Sequence, residues 1–290
     1  MRTGTIVSVT ICVWFACVAP ATAVAEGHTA VPRRGVLVLA HGGSFFWNRT
    51  VRRTVRQAQL DAPTAVAFGM GFHRREAAAL QQAVDQLERQ GVQEIVVVPL
   101  LVSSASEVFR QLQYLLGQRP EPAVHHEPVT PVTTHAAIRM PAALDDDPVV
   151  AEIVADRARA LSRRPDRETL VLVAHGPNTE EDNATWLACL ARIGDAVRAQ
   201  AGFRRVAAVT LRDDAEPAVK EQATAQLRAV VQQAAGEGDV LVVPLLIARG
   251  GIESGIPKRL AGLPYRYDGR TLLPDARIAP WLRRRVDETR

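Results

Sequence analysis

Two histidines stand where an apolar run meets a glycine turn. His41 sits in Leu39-Ala40-His41-Gly42 and is followed by Gly43, and His175 sits in Val173-Ala174-His175-Gly176 and is followed by Pro177 and Asn178. An imidazole in such a place can ligate a borderline metal or move a proton near neutral pH. A lone strand-end histidine is equally well used by a hydrogen bond to a nearby loop, so residue type alone decides nothing. Position adds more. In open α/β sheets the ligand crevice lies beyond the carboxyl ends of the strands. A glycine pair lets the chain turn tightly and brings a ligand close to backbone N–H groups. Gly42, Gly43 and Ser44 are therefore expected to line the ligand beside His41.

A second pair of words follows further along: Pro99-Leu100-Leu101 leading to Ser106-Glu107, and Pro244-Leu245-Leu246 leading to Gly250-Gly251-Ile252-Glu253. If the strands before these loops neighbour those that carry the histidines, Glu107 and His41 reach one crevice and form a nitrogen and oxygen site for a divalent ion. By itself, a glutamate near a helix start is more often a carboxylate favoured by the helix dipole. The chain carries no HExxH, Walker, GxGxxG or GxSxG sequence. The metalloprotease, ATPase, dinucleotide and hydrolase-elbow chemistries therefore lack their signatures.

The elements that must position these residues are legible as alternating short β-branched runs and longer amphipathic ones, the pattern of βαβ units around parallel sheets. Strands are expected over 36–40, 66–68 and 95–98, the last closed by Pro99, with helices over 74–90, 106–116 and 149–161, the last completing the first half. The order recurs with strands over 170–174, 206–209 and 240–243, the last closed by Pro244. A helical region around Trp186, a helix over 216–234, a final strand over 265–268 and a terminal helix over 277–286 complete the second half. The near-continuous apolarity of Val36-Leu37-Val38-Leu39 signals burial on both faces, as in a sheet between helices. The repeated words in the same order argue for duplication of one α/β lobe. The expected fold is thus α/β, two similar lobes each with a mostly parallel sheet flanked by helices. The expected divisions are 35–161, a linker at 162–168, and 169–288. The proline-rich connection between the halves carries His125, His126 and His135, with an edge strand expected over 123–126.

Composition narrows the class. The chain is 47% hydrophobic and 23% charged, and its formal net charge is +4; the first pair of values suits packed cores, and the modest charge is compatible with an anionic small molecule. The basic residues are arginines scattered over helical segments, without the aromatic interleaving of a single-strand platform, so no nucleic-acid partner is expected. Arg2, the apolar run over 6–18 and Ala23-Val24-Ala25 read as a signal peptide over 1–25, with a mature chain starting near Glu26 in the periplasm or outside the cell. No stable membrane span is then expected, and the expected state is a monomer. Cys12 and Cys17 leave with that segment, so Cys189 can form neither an internal disulfide nor a thiolate zinc site.

At the quoted words the chain resembles the sirohydrochlorin cobaltochelatases, class II chelatases of the long two-lobed form. The resemblance runs over residues 35–286 and includes Gly255-Ile256-Pro257 after the second Gly-Gly loop. It implies two lobes facing each other across a cleft. It also implies a lyase that inserts Co2+, or the related Ni2+, Fe2+ or Zn2+, into a tetrapyrrole bearing carboxylates such as sirohydrochlorin, as in cobalamin biosynthesis. The family's first metal histidine falls on His41. Its second follows a Gly-Gly pair after the third strand; that place is Glu107 in the first lobe, where Ala105-Ser106 replaces Gly-Gly, and Ile252 in the second. Glutamate still offers a ligand or a base, whereas isoleucine offers neither, so metal and catalytic duty falls to His41 and Glu107. Export is a further departure, since corrin and sirohaem metallation belongs to the cytoplasm. The other class these features suit is a non-enzymatic, extracytoplasmic metal- or tetrapyrrole-binding protein. Two ligands hold an ion weakly unless water or macrocycle nitrogen completes the shell. An imidazole must be neutral to ligate, so binding is expected to weaken in mild acid.

Overall fold

The structure, a computed structural model, describes Met1 and residues 32–123 and 127–289. The expected signal peptide lies outside the described residues, as do His125, His126 and all but Ala123 of the edge strand expected there.

Four parallel strands, β1 (Arg34–Ala40), β2 (Thr64–Phe68), β3 (Glu94–Leu100) and β4 (Ala137–Arg139), form a sheet in the order β2-β1-β3-β4. Three more, β5 (Glu168–Ala174), β6 (Arg205–Thr210) and β7 (Asp239–Leu245), form a second sheet in the order β6-β5-β7. The two sheets repeat one another in register: Ala40 pairs with Leu100 beside β1, and Ala174 pairs with Leu245 beside β5. Where β4 would recur, Arg266 makes a single bridge to Leu241, so the strand expected over 265–268 shrinks to one residue.

Side chains alternate across a strand, and each sheet uses both faces. Leu37, Leu39, Ile95 and Val97 face α2 (Arg74–Glu88) and α3 (Glu107–Leu115) through Leu80, Val84, Leu87 and Leu112. Val171, Val173, Val240 and Val242 face α6 (Pro217–Glu237) and α7 (Ile252–Arg259) through Leu227, Val231 and Ile256. The opposite residues, Val36, Val38, Val96 and Val98 from one sheet and Leu170, Leu172, Leu241 and Val243 from the other, share a single central core. That core is filled by α1 (Phe45–Ala58), α4 (Pro148–Leu161), α5 (Glu180–Ala201) and α8 (Ile278–Glu288).

The details depart from expectation at the two prolines and in the covering helices. Pro99 and Pro244 do not close their strands; each lies inside the ladder, opposite Leu39 and Val173 respectively. β4 reaches only as far as Val96, so at Pro99 one side of β3 is locally an edge, where a missing N–H breaks no ladder bond. Among the described residues the edge strand of the first sheet is Ala137–Arg139, where Arg139 pairs with Glu94 at 2.9 Å. The helix after β1 was not anticipated, although Trp47, Val51, Val55 and Ala58 bury one helical stripe. Finally, α4 does not complete the first sheet. It packs on α5 and β7, while α8 packs on α1 and β3, so the two sheets exchange covering helices. In α4, Val149, Val150, Ala151, Ile153, Val154, Ala155 and Ala158 form a broad buried face, while Glu152, Asp156 and Arg159 stay exposed on the other side. Polar anchors fix the exchange. Arg157 of α4 donates to Pro274 O at 3.1 Å and to Asp275, Arg283 of α8 to Ala58 O at 2.8 Å, and Arg284 to both oxygens of Asp147, the N-cap of α4.

Candidate functional site

The carboxyl ends of both sheets lie on one side, and their turns meet there across the lobes. His41 follows β1 directly and is exposed. Its Nδ1 lies 2.8 Å from the carbonyl oxygen of Gly42. A carbonyl only accepts, so Nδ1 carries the proton and Nε2 keeps its lone pair. No described residue bonds Nε2. Holding one ring nitrogen by a backbone carbonyl is how proteins orient a histidine for metal at the other. Gly42 makes this possible with φ +83°, and a Cβ there would lie 3.1 Å from Cβ of Phe68 at the end of β2. Gly43 donates its N–H to Asn48 Oδ1 at 3.0 Å, and Ser44 is the N-cap of α1, its Oγ accepting from Trp47 N. These polar groups of Gly43 and Ser44 thus build the turn.

His175 repeats the arrangement and then departs from it. Its Nδ1 is also 2.8 Å from the following glycine carbonyl, and Gly176 has φ +78°. Its Nε2, however, is 3.3 Å from Asp214 Oδ2. Nε2 of His175 thus has a carboxylate neighbour, on an exposed side chain, that Nε2 of His41 lacks.

Glu107 opens α3, behind the N-cap Ser106. Its Oε2 accepts from Nδ2 of Asn178 at 2.8 Å, which ties it to the turn that carries His175. One helical turn on, Arg110 grips Asp182 of α5 with two hydrogen bonds of 2.7 and 2.6 Å. The Arg110 guanidinium outweighs partial burial and holds the Asp182 carboxyl below its usual range. The opposite corner is built the same way with different chemistry: Trp47 of α1 lies against Gly250, where a Cβ would come 3.2 Å from Trp47 Cδ1. In the first turn of α7, Glu253 is buried and accepts from the N–H groups of Gly250 and Gly251 in the loop before it. No described hydrogen bond or ion pair joins His41 to Glu107. Among the described residues no group of three or more His, Cys, Asp or Glu side chains is arranged to hold a metal ion. His135 lies in the connection before β4, its N–H donating to Glu88.

Sequence reasoning missed Asn178, Arg110, Asp182 and Asp214. Each works across a lobe or a loop, and no local pattern marks it. The exposed Phe45 and Phe46, each 73% accessible, were also missed. They were readable in Ser44-Phe45-Phe46-Trp47, where a helix start with Trp47 facing inward leaves both phenylalanines outside.

The architecture is that of a two-lobed chelatase, two like α/β lobes with facing turns at their strand ends. A CbiX family model matches residues 35–161 and 169–289, and the chain belongs to the CbiX family, that of the sirohydrochlorin cobaltochelatases. A sirohydrochlorin cobaltochelatase of Methanopyrus kandleri is 28% identical over 134 residues, 43% of this chain and 94% of that protein. The solved structure of SirB from Bacillus subtilis with Fe3+ aligns with a TM-score of 0.61 at 17% identity, over 89% of this chain and 95% of that one. The structure of CbiX described as the terminal enzyme for siroheme biosynthesis in denitrifying bacteria gives 0.57 at 15% identity, over 89% and 100%. At those identities the two structures attest the fold. Family membership links the chain to chelatase chemistry, metal insertion into a tetrapyrrole. Among the described residues no helix is long and apolar enough to cross a membrane.

Proposed function

We propose that this protein inserts a divalent metal, Co2+ or a related ion, into a carboxylated tetrapyrrole of the sirohydrochlorin type, using the first lobe's half of the cleft. One observation carries the reading. His41 and His175 occupy equivalent turns with the same Nδ1 bond, and His41 alone keeps an uncommitted Nε2. In this reading His41 hands the ion to the macrocycle, and Gly42, Gly43 and Ser44 form the floor beneath it. Glu107 is the carboxylate that accepts a pyrrole proton or completes the ion's shell, with Asn178 fixing one of its oxygens. Insertion releases two pyrrole protons as the metal enters, so a base beside the ring is needed as well as a ligand. With one imidazole and one carboxylate, the ion is held weakly until macrocycle nitrogens add to its shell, which suits cargo that must be released. The metal is a substrate here.

Calorimetric Co2+ titration with and without a carboxylated tetrapyrrole tests this, on the parent and on His41→Ala, Glu107→Gln and His175→Ala. Binding is expected to fall in the first two and change little in the third. Unchanged binding in His41→Ala with loss in His175→Ala would move the site to the other lobe. Metallation that continues beyond one equivalent marks an enzyme, and metallation that stops there marks a binder.

A further inference from the structure

The duplication supplies an internal comparison at the two helices that start beside the histidines. α1 and α5 begin alike: Ser44 and Thr179 are N-caps, and each side chain accepts from the N–H three residues on, that of Trp47 and of Asp182. The next residues differ in kind. α5 continues with Glu180, Glu181 and Asp182, acidic residues that a helix amino terminus favours. Two of them are engaged, Glu180 with Arg212 and Asp182 with Arg110, and Asn178 just before the N-cap holds Glu107. α1 continues with Phe45 and Phe46, has no acidic residue in its first turn, and then exposes Arg49.

A helix start does not need two exposed phenylalanines. Both are 73% accessible, and their rings meet edge to face with centroids 5.7 Å apart. Exposed contiguous aromatics mark a surface that something covers. The charge around them says what kind of thing. Arg49 lies one helical turn from both rings on the same exposed face. Arg249, whose side chain is 71% accessible and whose Nε lies 3.8 Å from Oε1 of the buried Glu253, stands next to Gly250, which touches Trp47. A flat apolar body with anionic edges complements aromatics between guanidinium groups.

We infer that Phe45 and Phe46 form the platform on which the tetrapyrrole's face lies, with Arg49 and Arg249 pairing to its peripheral carboxylates. This deepens the proposed function and rests on it. The phenylalanines open the helix that follows the His41 turn, and Arg249 reaches the ligand from the second lobe.

The test uses uroporphyrin, a porphyrin with eight carboxylates, followed by its fluorescence anisotropy on the full chain. A Phe45→Ala/Phe46→Ala double variant is expected to bind about tenfold more weakly or worse, since each ring loses a stacked, buried contact. Arg49→Gln is expected to weaken binding several-fold and to flatten its salt dependence. Both variants change exposed residues, so their Tm stays at the parent's value. Co2+ titration without porphyrin is expected to be unchanged in the double variant, which separates the platform from the metal site. Failure of the parent to bind uroporphyrin would overturn the functional reading and the platform together. Parent-like affinity in the double variant would overturn the platform alone. A double variant that keeps porphyrin affinity yet loses binding to phosphatidylcholine–phosphatidylserine vesicles would assign the phenylalanines to a membrane surface.

Discussion

Substituting alanine for each of the two turn glycines separates what the turn does for stability from what it does for the metal. At Gly42 the backbone has φ +83°, and a new methyl would meet Phe68 Cβ at 3.1 Å. A left-handed conformation costs an L-residue about 1–2 kcal/mol, and a contact at 3.1 Å needs the neighbour to move by only a few tenths of an ångström. Gly42→Ala should therefore lose about 1–2 kcal/mol of stability. At Gly176 the conformation is the same, φ +78°, but the methyl would sit 2.5 Å from Thr210 Cβ, an atom fixed by β6. Overpacking adds about 1–3 kcal/mol, so Gly176→Ala should lose about 2–5 kcal/mol. Function should rank them the other way. The carbonyl of Gly42 aims His41, and a shifted turn misdirects Nε2, so Co2+ binding should fall several-fold in Gly42→Ala and stay unchanged per folded molecule in Gly176→Ala. Urea unfolding and Co2+ calorimetry on both proteins measure the two scales. Equal stability losses would refute the contact argument, and full Co2+ affinity in Gly42→Ala would refute the role given to the turn.

Other outcomes follow from buried charge. Glu168 is inaccessible and accepts from Ser162 Oγ, from the N–H groups of Arg163 and Arg164, and from Arg266. Burial opposes its ionisation, but these donors outweigh it and hold the carboxyl below its usual range. Glu168→Gln should lose about 3 kcal/mol at neutral pH. A depressed carboxylate stabilises fully above the unfolded value of about 4.3 and loses that contribution as pH falls through its folded value. The gap between parent and variant in urea melts should therefore close in acid, and a gap constant with pH would contradict this account. A double-mutant cycle with Arg110→Gln and Asp182→Asn should show coupling of about 1–2 kcal/mol, below a fully buried pair because Arg110 is partly exposed. Burial pushes the Cys189 thiol up to about 11, so it should resist iodoacetamide at neutral pH until the protein is unfolded, as mass spectrometry would show. Export-competent cells should yield a chain starting near Glu26, and an intact mass retaining Met1 would count against export.

The lobes were legible because their central strands are apolar on both faces and alternate with amphipathic helical runs, a pattern local to each segment. His41 and His175 were legible for the same reason, as strand ends with adjacent glycines. What could not be read was anything whose partner lies in the other half. Whether Nε2 of a strand-end histidine is uncommitted depends on a carboxylate beyond the next strand, Asp214 for His175, and no spacing rule supplies that. Glu107 was placed correctly at a helix start beyond β3, yet its bond to Asn178 depends on how two lobes face each other. The broad apolar face of α4 was present in the sequence, but an apolar face does not say which of two sheets it covers.

The exchange of α4 and α8 decides how the cleft can move. In a pair of lobes joined by one linker, a hinge opens like a book. Here each cover crosses to the sheet of the other half, and Val36 and Val38 share one core with Leu170 and Leu172, so both crossings and that core tie the halves together. The jaw is therefore stiff at its base, and only the turns and side chains at its rim remain to yield. In the function proposed above, a planar ring entering such a jaw accommodates itself to the protein, so the work of bending it toward the incoming metal falls on the guest rather than the host.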